Sequence, residues 1–199
     1  ALPRDRTRPR RRAGDRFGRI NGLAVRASGK GAVRVRILVA GVGDVFLGDA
    51  AFGVEVVRRL RALDGLPDGV QLAEGGSGMQ LADRLLDGYD VLLIVDVLSR
   101  GEPPGTLCSF EHDLDSRPET TPPPDGRGMD PAAVLDLLDG LAGSMGVPRP
   151  VGRVLVIGCE PARLSEPMGL SAPVAAAVEP AARTVLELVH ELVGREATR

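Results

Sequence analysis

An apolar run, Val35 to Ala40 (VRILVA), ends in a glycine-rich turn, Gly41 to Gly48 (GVGDVFLG). The turn leads into an amphipathic segment. Buried strand, glycine turn, then helix is the opening unit of an open α/β sheet. In such folds ligands bind in the crevice beyond the carboxyl end of the strand.

The rest of the chain keeps alternating. Val33 to Ala40 reads as a strand, and Ala51 to Leu63 as a helix with Val54, Val57 and Leu60 on one stripe. A short strand is expected over Gly69–Ala73. A short helix follows over Met79–Leu86, with Met79, Ala82, Leu85 and Leu86 on one side. Val91 to Val97 (VLLIVDV) is nearly continuous in apolar residues, as suits a strand covered on both faces. Thr106 to Phe110 is a further strand, and residues 111–129, with Pro122, Pro123 and Pro124, read as a polar loop. Asp130 and Pro131 are the cap and first position of a helix running to about Ala142. Val154 to Gly158 is the last strand, and a loop with Pro161 and Pro167 follows. The final helix spans the region from Ala172-Pro173 to Val193. This alternation predicts an α/β three-layer sandwich: a mainly parallel, twisted sheet of about five strands flanked by helices.

Length and charge set the organisation. At 199 residues, 43% of them hydrophobic, the chain suits one domain with a sizeable core. Aromatics make up 3% and tryptophan is absent, so Val, Leu, Ile and Ala must build that core. The net charge of −2 conceals a split: residues 1–30 carry +8, with nine Arg and Lys30 against Asp5 and Asp15, and the remainder carries −10. Residues 1–32 therefore read as a disordered, Arg-rich N-terminal extension, and residues 33–195 as the folded domain. The extension is either an electrostatic arm or dispensable. Phe17 is its only aromatic residue for stacking on bases, which argues against a nucleic-acid partner. No run approaches 18 apolar residues and no secretory h-region stands at the N-terminus, so no membrane partner and a cytoplasmic location are expected. Cys108 and Cys159 form no C-x-x-C pair and read as lone thiols.

Several motifs are incomplete. Gly41 and Gly43 begin a dinucleotide fingerprint, but its third glycine falls on Phe46, and no P-loop follows. Asp96 closes a buried strand, where a carboxylate needs a partner such as backbone donors or Arg100, or else a ligand. His112, in Glu111-His112-Asp113, is either a weak metal ligand or a solvated loop start. His190 reads as structural, and nothing marks a base for Ser77.

Five segments, in order and spacing over residues 34–193, resemble the hydrogenase maturation proteases. These are GVGDVFLGDAAFGV from Gly41 to Val54, GGSGMQL from Gly75 to Leu81, DGYDVLLIVDV from Asp87 to Val97, GRGMDPAAVLDLL from Gly126 to Leu138, and the closing stretch Val154 to Ala181. PPGTL, Pro103 to Leu107, matches the turn after the middle strand. The resemblance implies a phosphorylase/hydrolase-like fold. It also implies an endopeptidase that removes a C-terminal extension from the large subunit of a nickel–iron hydrogenase after nickel insertion. The nickel is then supplied by the precursor, which is the implied partner, rather than bound permanently. The family's three metal-recognising side chains fall on Asp96, Ala50 and Arg127, so one is retained and two are substituted. Asp49, one position away, and Asp44, His112 and Asp125 are the alternative ligands. A further acid falls on Glu74 or Ala73, and Glu74, Gly75, Gly76 and Gly78 are implied in substrate recognition beside the loop Gly41, Gly43 and Asp44. A methyl group cannot ligate a metal, and a guanidinium brings a positive charge. An ion pair between Arg127 and Asp96, or a non-catalytic binding role, follows as the alternative.

Overall fold

The computed structural model describes residues 35–75, 78–112, 151–165 and 168–196. Strand β1 (Ile37–Gly41) runs into a 3-10 turn (Gly48–Ala51) and helix α1 (Phe52–Arg61). Strand β2 (Val70–Glu74), helix α2 (Gly78–Leu85), and strands β3 (Tyr89–Val97) and β4 (Leu107–His112) follow. Strand β5 (Val151–Cys159) and helix α3 (Ala172–Glu196) complete the described residues. The helix expected after Pro131 lies outside them.

The five strands lie in the order β2-β1-β3-β5-β4. β2, β1, β3 and β5 are parallel, and β4 pairs antiparallel with β5. The mainly parallel sheet is as expected, and its reversed edge has a simple cause. The turn after β3 stays at the carboxyl end of the sheet, reverses through Pro103-Pro104-Gly105, and starts β4 at that same end. A parallel partner would need a crossover of a dozen or more residues. The Gly105 N–H donates to the Glu160 carbonyl at 2.8 Å, and the Glu160 N–H donates to the Thr106 carbonyl at 2.9 Å, so the two strands begin paired.

Two apolar layers sandwich the sheet. On one face Phe52, Val56, Val57 and Leu60 of α1 meet Val174, Ala181, Val185 and Val189 of α3 over Val91, Leu93 and Val95. On the other, Leu81 and Leu85 of α2 cover Leu38, Leu92, Ile94 and Val156. The α1 stripe Val54, Val57 and Leu60 is buried, and Phe52 and Val56 widen it. The central strands are apolar on both faces because both are covered, and β4, at the edge, alternates. The last strand starts three residues earlier than its apolar run suggests, because Arg153 is buried within it. Its Nε and Nη2 donate to the two carboxylate oxygens of Glu111 on β4, at 2.7 and 3.0 Å.

Candidate functional site

From β1 the chain passes to β2 on one side and then crosses to β3 on the other. The loops that leave β1 and β3 therefore diverge and open a crevice at their carboxyl ends, the position where open α/β sheets bind ligands. Gly41 is in register with Val95 and with Glu74, so Asp96 stands one residue beyond the end of β1.

Asp96 is 2% exposed. Its carboxylate accepts the Val97 N–H at 2.7 Å. Gly158 lies opposite it on β5. The Arg100 guanidinium lies over the Phe110 ring at 5.0 Å, and its backbone N–H donates to Glu160.

Ala50, in the 3-10 turn, is 1% exposed. The turn packs against β3. Two glycines allow this approach. A Cβ on Gly43, which has φ +129°, would overlap the Ala50 carbonyl, and one on Gly53 would overlap the carbonyl oxygens of Val95 and Val42. The turn that carries position 50 is thus packed against β3, the strand that carries Asp96. Asp44 is exposed and turned to its own loop, where its carboxylate accepts the Phe46 N–H at 2.8 Å in an Asx-type turn.

Asp49 is fully buried, and its carboxylate is committed within the chain. It accepts the N–H groups of Ala162 at 2.8 Å, Arg163 at 2.9 Å and Ser171 at 2.6 Å, and the Ser171 hydroxyl at 3.0 Å. Burial on its own would raise the carboxyl's pKa. The hydrogen bonds from Ser171, Arg163 and Ala162 together outweigh burial and hold it below the usual aspartate value. A carboxylate so engaged is poorly placed to act as the alternative metal ligand expected of it.

Glu74 reaches the carboxyl end of β2 as expected, but its carboxylate meets α1, paired with Arg58 at 3.3 Å and with Arg61. Gly75, with φ +57°, donates its N–H to the Gly41 carbonyl at 2.8 Å and closes that side of the loop. Gly78 opens α2. Gly76, Ser77, Asp125 and Arg127 lie outside the described residues, and so does the expected ion pair of Arg127 with Asp96. His112 ends β4 rather than starting a loop, in register with Val154. His190 is exposed on α3.

Glu160 is a site-end acid that the sequence reading did not single out. It is 8% exposed and accepts the N–H groups of Arg100 at 2.7 Å and Gly101 at 3.3 Å. The Arg100 N–H foremost holds its carboxyl below the usual glutamate range, against the opposing effect of burial. The available signal was the one that marked Asp96, an acid closing an apolar strand. Cys159 is buried, and burial foremost, with Asp49 next, pushes its thiol up to about 12. It is protonated at neutral pH and is no nucleophile. Cys108 is half-buried. Among the described residues no three His, Cys, Asp or Glu side chains gather as metal ligands would. No described helix is long and apolar enough to cross a membrane.

Topology and site together define an α/β domain with a switch-point crevice edged by buried acids and lacking a phosphate loop. A family model described as hydrogenase maturation protease matches residues 54–121. The hydrogenase 2 maturation protease of Escherichia coli K12 is 32% identical over 161 residues, covering 79% of this chain and 92% of that protein. The hydrogenase expression/formation protein HoxM of Azotobacter vinelandii is 33% identical over 157 residues, covering 78% of this chain and 72% of that one. Among solved structures, the hydrogenase maturating endopeptidase HybD from E. coli superposes with a TM-score of 0.61 at 29% identity, covering 79% of this chain and 93% of that chain. The chain belongs to the hydrogenase maturation protease family.

Proposed function

We propose that this chain acts on the large-subunit precursor of a nickel–iron hydrogenase, as an endopeptidase that removes the C-terminal extension once nickel is in place. The observation that carries this reading is Asp96: a buried carboxylate at the switch point, beside the turn that seats position 50, in a chain of this family. The metal belongs to the precursor and is part of the substrate. A carboxylate is a fitting ligand for a borderline divalent ion, and a bound ion can polarise the scissile carbonyl or activate water. Asp96 supplies that ligand. Ala50 supplies none, and Arg127 replaces an imidazole by a guanidinium.

Those two residues favour a second reading, a catalytically inactive relative that docks on the precursor as a maturation accessory. One assay separates the two. The full chain is incubated with nickel-loaded precursor, and loss of the extension is followed by mass spectrometry. Cleavage by the unmodified chain establishes the endopeptidase and excludes the accessory reading. Capture of the precursor without cleavage, with cleavage gained in the Ala50→Asp/Arg127→His chain, establishes the accessory. Neither capture nor cleavage by either chain removes both.

A further inference from the structure

Asp49 joins two segments far apart in sequence. Its carboxylate takes three backbone N–H groups and a hydroxyl from residues 162–171, and its own N–H donates to the Arg163 carbonyl at 3.1 Å. Beside it Gly48, with φ +53°, lies close against the backbone of Ser165, where a Cβ would come within 2.7 Å of the carbonyl oxygen. The residue on its other side is Ala50, whose N–H donates to the Leu47 carbonyl at 3.0 Å and whose own carbonyl faces Gly43. The 3-10 turn is therefore held at both ends, by Gly43 and Gly53 toward the sheet and by Asp49 toward the segment that leads into α3.

We propose that Asp49 is a positioning residue: it fastens the 3-10 turn to residues 162–171 and so keeps position 50 against the end of β3, without itself meeting the precursor's metal. Its part in recognition rests on the function proposed above; the fastening itself does not. A buried carboxylate with several donors is costly to leave half-satisfied. Replacing it by an amide sets an NH2 group among donors, so the turn and the segment should separate locally before the core opens.

The test compares the full chain with Asp49→Asn and with Val185→Ala, a core substitution in α3 that lowers stability away from the crevice. Amide hydrogen exchange is read residue by residue. In Asp49→Asn, exchange at residues 162, 163 and 171, and at Ala50, is expected to quicken by about tenfold or more, with the core of α3 still protected. Val185→Ala is expected to quicken α1 and α3 without singling out those four amides. A second readout is Ni2+ binding by the Ala50→Asp/Arg127→His chain, measured by calorimetry with the ion alone. Adding Asp49→Asn is expected to weaken it by about tenfold or more, the usual cost of losing support behind a ligand, and adding Val185→Ala to leave it unchanged. Should Asp49→Asn fail to fold, Ser171→Ala, which removes only the hydroxyl donor, is expected to quicken the same four amides by a smaller factor. An Ala50 amide unmoved while 162, 163 and 171 quicken, or equal effects of Asp49→Asn and Val185→Ala, overturns the proposal. Precursor plays no part in these readouts. A processing assay without cleavage by either chain removes the proposed endopeptidase and leaves the fastening untouched; a parent variant that binds no Ni2+ removes the second readout alone, and hydrogen exchange then decides the positioning.

Discussion

Asp49 and Ala50 are adjacent, both buried, and used in opposite ways. The aspartate's carboxylate is taken up by its own chain, and the alanine, with no polar atom in its side chain, stands in the proposed function where a metal-facing acid would be. The buried acids Asp49 and Glu160 both have carboxyls held below their ordinary values. The stability they contribute is fully present above the unfolded carboxylate range, about pH 4, and is lost as pH falls through their folded values. Thermal melts from pH 7 down to pH 2 should therefore show a steep acid loss for the native chain. Asp49→Asn should start lower at pH 7 and fall less steeply. Parallel pH profiles for the two chains would refute this assignment. Gly43 belongs with them, because any side chain there meets both a positive φ and the Ala50 carbonyl. Gly43→Ala is expected to cost about 2 kcal/mol or more. That corresponds to a drop of roughly 4–8 °C in Tm, readable by calorimetry.

The strands and helices follow the local pattern closely wherever one face or both faces are apolar. VLLIVDV became β3 from its third residue to its end, and Val57 and Leu60 of the α1 stripe entered the core that α1 shares with α3. The pattern fell short where packing overruled composition. Arg153 interrupts the apolar run of the last strand, yet the strand continues through it because Glu111 on the neighbouring strand satisfies the guanidinium. His112 lies in a polar stretch but is held in β4 by pairing with β5. That pair yields a measurable consequence. The glutamate side is partly exposed, so Glu111→Ala should cost about 1–2 kcal/mol, less than a fully buried pair. The double change Arg153→Met/Glu111→Leu should recover most of it. Chemical denaturation of Arg153→Met, Glu111→Leu and the double change measures the coupling, and additive losses would show that the two side chains do not depend on each other.

The whole domain is a sheet with acids gathered at one end. Asp49, Asp96 and Glu160 come from three different segments that end or follow parallel strands, and so they lie toward the same end of the sheet, each with its own donors. Among the described residues the core takes in Val35 and Ile37 at its N-terminal side, and residues 1–32 are proposed to add nothing to it. A chain starting at residue 33 is thus expected to keep the full-length melting temperature within about 2 °C, a change too small to represent lost packing. A larger fall would mean that residues 1–32 pack on the domain. By itself the amino-acid sequence determined the α/β class, most strand and helix positions and the family, because apolar periodicity and glycine turns are local, and five short motifs keep their order. It also placed Asp96 at a strand end, and through the resemblance it raised the expectation that Ala50 and Arg127 replace ligands. Only the tertiary structure decided that Asp49 clamps a loop, that Glu74 pairs with α1, and that Glu160 belongs to the rim. Each of those roles depends on a partner between 13 and 122 residues away, and no local pattern reports which distant donors a carboxylate will meet.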